Sequence, residues 1–289
     1  MAVPIADGHT HTNPVRGMGA SRIAPLFKKS GGWFMALVTL SPWSYGIDFN
    51  GLESYKQAID VLIRECMSIE EEGLKAACIA GIHPADVDKL IDKYKIPPVE
   101  VVELGVKVID YVAELCREGV LDGIGEVGHQ HYKTTVEKML ISHRILEYAL
   151  EKAKDYECVV HMHLENAGEI TVDLIDYTVT RLGIPVDAKK RLIFHHSKPN
   201  MIKYASGLGY SSTLPGIPRL LEHAVGRLEP VYIPESDHID DPARPGAVVY
   251  PWDMATTIQK MHESGIVDEE YLYKINIDNI ERVYGASYS

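Results

Sequence analysis

Histidine is the residue type whose placement in this chain first suggests chemistry. Of 13 histidines in 289 residues, ten (His9, His11, His83, His129, His131, His161, His163, His195, His196 and His238) stand at or just past the ends of short apolar runs. Only His143, His223 and His262 fall within helical patterns. Surface histidines would not select strand ends, whereas imidazoles gathered on one face can bind a transition metal. The sharpest local pattern is Asp7-Gly8-His9-Thr10-His11. On a strand, positions i and i+2 point to the same side, so His9 and His11 can share one cation. A hydrogen-bonded pair in a core would look the same. Asp7 is expected to stand behind them, accepting a proton from an imidazole or a backbone amide.

Glu126 is a carboxylate in an apolar setting. It lies in Gly123-Ile124-Gly125-Glu126-Val127-Gly128, flanked by three glycines. Burial there would raise its pKa or demand a cationic partner, which a dication supplies. Its two oxygens can bridge two dications about 3.5–4 Å apart; capping the next helix is the simpler alternative. Further along come His161-Met162-His163, whose imidazoles share a face, and His195-His196, whose imidazoles cannot if both lie on a strand. Glu235-Ser236-Asp237-His238 ends the series. Asp237 suits a carboxylate that touches a metal and takes the proton of its water, so Asp237 and Glu126 are the expected catalytic residues.

These residues need a scaffold that brings distant segments to one place. Apolar, β-branched runs predict strands over 3–7, 34–40, 76–82, 121–126, 158–163, 192–196, 209–214 and 231–236. Their continuous apolar character suits parallel strands covered on both faces. Amphipathic stretches predict helices over 54–72, 99–118, 134–155 and 170–182, the first with Ile59, Leu62, Ile63 and Cys66 on one stripe. Strands alternating with helices predict an α/β protein, a single (β/α)8 TIM barrel spanning residues 1–289, with a metal site at the C-terminal ends of the strands. A doubly wound open sheet has the same periodicity.

Composition sets limits on function. Lys and Arg total 29 against 41 Asp and Glu, a net charge of −12, with 46% hydrophobic residues. Disorder is excluded, and a broad basic face for coating nucleic acid is not expected. Cys66, Cys78, Cys116 and Cys158 show no CxxC spacing and are expected to be reduced thiols of a cytoplasmic protein. The start lacks the basic and long apolar regions of a signal peptide, and no run of 18 apolar residues predicts a membrane span. Trp33, Phe34, Trp43 and Tyr45 are read as packing rather than as a base-stacking platform. The loop Asp240-Asp241-Pro242-Ala243-Arg244-Pro245-Gly246 reads as a lid over the site.

Together the motifs resemble the TatD-related metal-dependent hydrolases of the amidohydrolase superfamily, from Ile5 to Tyr284. The resemblance rests on the DxHxH start (Asp7 to His11), Gly81-Ile82-His83-Pro84, the GExG of Gly125-Glu126-Val127-Gly128, and single histidines on strands five and six. It continues in Glu235-Ser236-Asp237 and the tail Asn279-Ile280-Glu281-Arg282-Val283-Tyr284-Gly285. By that resemblance, a count from Ala153 makes His163 the strand-five ligand and His161 a deeper residue. On strand six, Phe194-His195-His196-Ser197 satisfies both a Phe-His and a His-Ser pattern. His196 is favoured, with His195 as the alternative.

The resemblance implies two divalent ions (Zn, Mn, Ni, Co or Mg), one held by His9, His11 and Asp237, the other by His163 and His196, with Glu126 bridging. Three places depart from the TatD pattern: His129-Gln130-His131-Tyr132, Leu164-Glu165 and Ser197-Lys198-Pro199-Asn200. These positions face substrate in relatives, so the resemblance does not by itself specify DNA. His83, His129, His131, Lys198 and Arg244 are the expected substrate contacts, with Arg16 a further loop cation. The expected activity is hydrolysis by metal-activated water, on a phosphodiester such as a DNA 3′ end. The alternative is a small-molecule ester, lactone, phosphoester or amide; a non-catalytic metal-binding module is a third reading. The expected partner is a small molecule or a nucleic-acid end, with no membrane.

Overall fold

The apolar runs become strands that close on themselves. A computed structural model describes residues 3–244 and 247–288. Its strands are β1 (Ile5–Thr10), β2 (Gly32–Val38), β3 (Lys75–Ala80), β4 (Gly123–Gly128), β5 (Val159–His163), β6 (Leu192–Phe194), β7 (Ser211–Pro215) and β8 (Ile233–Glu235). They pair in parallel in the order β1 to β8, as one eight-stranded sheet. The ring is joined where the His11 amide donates to the His238 carbonyl and the Asp237 amide to the His9 carbonyl, both at 2.9 Å. An open sheet is thereby excluded, and the fold is a (β/α)8 barrel.

The helices are α1 (Ala20–Lys29), α2 (Leu52–Glu71), α3 (Pro84–Asp92), α4 (Pro98–Arg117), α5 (Val136–Tyr156) and α6 (Glu169–Arg181). They continue as α7 (Pro199–Gly207), α8 (Pro218–Val225), α9 (Pro251–Glu263), α10 (Glu269–Tyr273) and α11 (Asn279–Tyr284). The four expected helices correspond to α2, α4, α5 and α6. Helices α1, α3 and α8 carry weaker sequence signals: Pro25 lies inside α1, and α3 and α8 are short. Among the described residues, no helix is long and apolar enough to cross a membrane.

Three strand boundaries matter for the site. β1 runs on to Thr10, so His9 lies on the strand itself. β6 stops at Phe194 and β8 at Glu235, which leaves His195, His196 and Asp237 beyond the regular pleat. The glycines of β4 serve close approach. A Cβ on Gly123 would lie 2.7 Å from the Val159 carbonyl, and one on Gly125 2.7 Å from the His161 Cβ. Side chains there would push β4 away from β5.

Two apolar layers wrap the barrel, and a third fills it. Ala6, Phe34, Ala36, Val38, Ile79, Ile193 and Ile233 pack with Ile280 and Val283 of α11. Trp33 and Phe34 are core residues as expected, Trp33 donating its indole proton to the Asn276 carbonyl at 3.0 Å. The cysteine expectation needs correction. Cys66 of α2 and Cys78 of β3 form a disulfide, their Cα atoms 6.3 Å apart, while Cys116 and Cys158 are free. Packing of α2 directly on β3 creates this proximity, which no spacing rule reveals.

Candidate metal centre

The mouth of the barrel collects nearly all the imidazoles, and the inner ones are held by their far nitrogens. His11 donates Nδ1–H to the Val38 carbonyl at 2.8 Å. His195 Nδ1 meets Glu235 Oε2 at 2.7 Å. His9 Nδ1 lies 2.9 Å from His161 Nδ1, and His161 Nε2 lies 2.7 Å from the Tyr284 hydroxyl. Each bond fixes a ring, and on His9, His11 and His195 it leaves Nε2 facing Glu126. His9 and His195 stack with centroids 3.6 Å apart, and the Nε2 atoms of His9 and His11 stand 3.3 Å apart. This is the pattern by which a protein orients imidazole ligands. Asp7 accepts the backbone amides of Ser236 at 2.8 Å and His9 at 3.3 Å, tying β1 to β8 beneath the site.

Glu126 sits at the centre. Its carboxylate lies 3.7 Å from His9, 3.8 Å from His11 and 3.3 Å from His195, each measured to Nε2. His163 donates Nδ1–H to Glu126 at 2.9 Å. His83 caps α3 by accepting the Ala85 amide at Nδ1, 2.9 Å away, so its neutral ring carries the proton on Nε2. That Nε2–H points towards Glu126 at 3.7 Å. Burial opposes charge on Glu126, but the neighbouring His83, His163 and His9 outweigh it and hold the carboxyl well below its usual range.

The strand-six rule fails here for a physical reason. Neighbours on a strand point oppositely, but β6 has ended and His196 adopts φ 41°. His195 therefore reaches the inner group, and His196 turns towards His163 and His131 on the other side of the mouth, ring centroids 4.8 and 5.2 Å away. Both imidazoles face the site. Four sets of side chains have ligand atoms mutually within 4.8 Å: His9–His11–Glu126, His9–His195–Asp237, His83–Glu126–His163 and His131–His163–His196.

Burial pushes His9, His83, His161, His195 and His196 towards the neutral, metal-binding form. His9 and His195 are lowered well below the ordinary value, and burial takes His83 and His161 to about 3 and His196 to about 4. The donor set fits a divalent transition metal. Among the described residues, His163 Nε2 and His196 Nε2 are buried with no hydrogen-bond partner, as expected of atoms that serve an ion. Asp237, at φ 46° beyond β8, lies 3.7 Å from His195 Nε2. Burial, reinforced by Glu126 and Asp7 and opposed by Arg244, raises its carboxyl well above the usual range.

A cleft of about 220 Å³ opens above Glu126, walled by His11, His83, Ser41, Trp43, Asp241 and Arg244. Among the other expected contacts, His131 stands at the mouth, its ring 4.5 Å from that of His163. His129 does not face the cleft; it bridges Glu165 at 2.8 Å and His143 at 2.9 Å. Lys198 is exposed at the start of α7 and Arg16 is exposed on its loop. The expected lid is anchored at its first residue: Asp240 accepts the amides of Asn13, Met18 and Gly19 at 2.8–2.9 Å. Pro245 and Gly246 of that loop lie outside the described residues. Two positioning residues escaped the sequence reading. Tyr284 was visible only as part of the tail motif, and Glu165 only as a departure from the family pattern.

Comparison with known proteins agrees with this geometry. The sequence pattern of the family described as TatD related DNase matches residues 6–285. An uncharacterised protein of Methanocaldococcus jannaschii, MJ1127, is 27% identical over 285 residues, covering 98% of this chain and 96% of that protein. YjjV, a TatD homologue from Escherichia coli, superposes with a TM-score of 0.65 at 13% identity, covering 99% of this chain and 100% of the other. The phosphotriesterase homology protein of Escherichia coli, solved with phosphate in its active site, gives 0.62 at 13% identity over 98% and 99% of the two chains. An organophosphorus hydrolase from Deinococcus radiodurans gives 0.62 at 13% identity, with 98% and 93% covered. At these identities the structural likenesses speak for the fold.

Proposed function

This chain belongs to the TatD-related DNase family, and from that premise we propose that it hydrolyses phosphoesters with the help of two divalent metal ions, taking a phosphodiester end or a small phosphoester into the cleft above Glu126. The observation that carries this reading is the convergence of five imidazoles, His9, His11, His83, His163 and His195, within 4.0 Å of one buried carboxylate. One ion would be held by His9, His11, Glu126 and Asp237, with His195 beside them; the other by His163 and His196, with Glu126 between the two. Such ions, when bound, acidify a water and polarise the scissile oxygen.

The chain's own groups supply the rest. Asp237, 3.7 Å from His195 Nε2 and partly exposed, takes the proton of the attacking water and returns it to the leaving oxygen. His83 directs Nε2–H into the same space and donates to a substrate oxygen. Arg244 orients an anionic group, and Trp43 walls off solvent on that side. The phosphate recorded in the phosphotriesterase homology protein supports a phosphoryl group at this place. One observation favours a second reading, a small ester or lactone: Asp241 shares the wall with Arg244 and reduces its pull on anions.

The test is turnover of the metal-loaded protein on single-stranded DNA ends, phosphomonoesters, lactones and amides, with Asp237→Asn run alongside. Phosphoester hydrolysis falling roughly 10²–10⁴-fold in the variant supports the proposal. Turnover indifferent to Asp237 would falsify it, and lactone turnover alone would select the second reading.

A further inference from the structure

The outer side of the mouth differs from the inner in one respect: its imidazoles converge without a carboxylate among them. His163 spends Nδ1 on Glu126, so only Nε2 remains for an ion, and that atom is buried and unpartnered among the described residues. His196 Nε2 is likewise buried and unpartnered. The ring of His131 lies 4.5 Å from that of His163 and 5.2 Å from that of His196, and ligand atoms of all three lie within 4.8 Å of one another.

The loop that carries His131 is built to hold it there. His129, just before it, is clamped between Glu165 and His143, and the Gln130 side chain donates to the Pro84 carbonyl at 3.1 Å and to Ser142 at 3.0 Å. Two consecutive side chains thus bolt the loop down, and His131 itself stands exposed at the mouth with its ring against those of His163 and His196. The geometry points to His131 as a metal ligand that completes, with His163 and His196, an all-imidazole position for a transition dication, with Glu126 orienting His163 from behind. This rests on the proposed metal-dependent reading but changes what the second ion sees. Three neutral imidazoles suit Zn, Co or Ni and bind Mg poorly, because Mg prefers oxygen.

The experiment is cobalt(II) titration of the metal-free protein, read as bound metal per chain and as visible cobalt absorption, for wild type, His131→Ala, His131→Cys and His11→Ala. The wild type takes up two equivalents. In His131→Ala, one equivalent weakens roughly 100-fold or more while the His11-dependent one stays. His131→Cys restores it, with the stronger sulfur-to-cobalt absorption of a thiolate ligand. Binding in His131→Ala equal to wild type, or no restoration by cysteine, overturns the three-imidazole position; if the His11-dependent equivalent survives, the hydrolase reading stands. A wild type that binds no cobalt overturns both.

Discussion

The inner and outer imidazoles of this barrel are the same residue type a few ångströms apart, yet they are held in different ways. His9, His11 and His195 each have Nδ1 tied to the fold: to His161, to the Val38 carbonyl and to Glu235. His196 stands on a turn past β6, His131 on an exposed loop, and among the described residues only His163 of the outer three has its ring tied, by Glu126. Rings anchored at both ends present a lone pair at little entropic cost, whereas rings on turns must be ordered by the ion itself. The inner group should therefore bind first and tightly, and the outer group should select among metals.

Glu126 touches His9, His11 and His195 on one side and His163 on the other, so its loss should have the largest effect. Glu126→Gln is expected to lower turnover about 10³-fold or more and to weaken cobalt binding at both positions. Loss at one position alone would break the symmetry of the comparison.

Next in size is the response of the metal-free protein to acid. Burial holds His161 neutral, with its pKa down at about 3, while the unfolded chain titrates near the ordinary value of 6.5. The sign follows directly: the unfolded state binds the extra proton, so this stability is full above pH 6.5 and is lost as pH falls towards 3. At about pH 5 the loss from His161 alone is about 2 kcal/mol. His83 and His196 act with the same sign. Buried carboxyls such as Asp7 and Asp86, pushed up to about 7 by burial, act with the opposite sign. Urea unfolding of wild type and His161→Gln at about pH 7.5 and about pH 5 therefore isolates the ring, and an equal pH dependence in the two proteins would contradict its neutral burial.

The smallest effects come from groups behind the imidazoles and should separate the two sides. For His9 to offer Nε2 to an ion, its Nδ1–H must donate to His161, whose Nε2–H then donates to the Tyr284 hydroxyl. Tyr284→Phe removes that acceptor and should weaken the inner cation about tenfold, leaving the outer one alone. Glu165→Gln loosens the clamp on His129 and should weaken the outer cation about threefold, leaving the inner one alone. Isothermal titration of both variants reads each side, and crossed effects would show that the two positions are not independent.

Much of the scaffold was legible from periodicity, and one misreading is instructive. The eight apolar runs and four amphipathic stretches correspond to observed elements. Treating His195-His196 as strand residues allowed only one of them to face the site. The pleat rule was sound, but the strand was shorter than the apolar pattern. Where a strand ends depends on its partners, and β6 pairs with β7 through only Ile193 and Phe194. The reduced-thiol expectation failed in a similar way, because contact between Cys66 and Cys78 arises from α2 lying against β3. Conversely, Glu126 announced itself, since a carboxylate among glycines and apolar residues has few physical explanations.

Residue types and their order along the chain were enough to specify an alternation of strands and helices, a gathering of imidazoles at strand ends, and membership of a hydrolase family. Those properties follow from local periodicity and from chemistry carried by single side chains. Which nitrogen of each ring is tied, which rings face Glu126, and that Tyr284 reaches His161 from the closing helix were decided only by tertiary structure. Each of those facts depends on atoms far apart in the chain meeting within a few ångströms, and closure of the barrel, not any local rule, sets that distance.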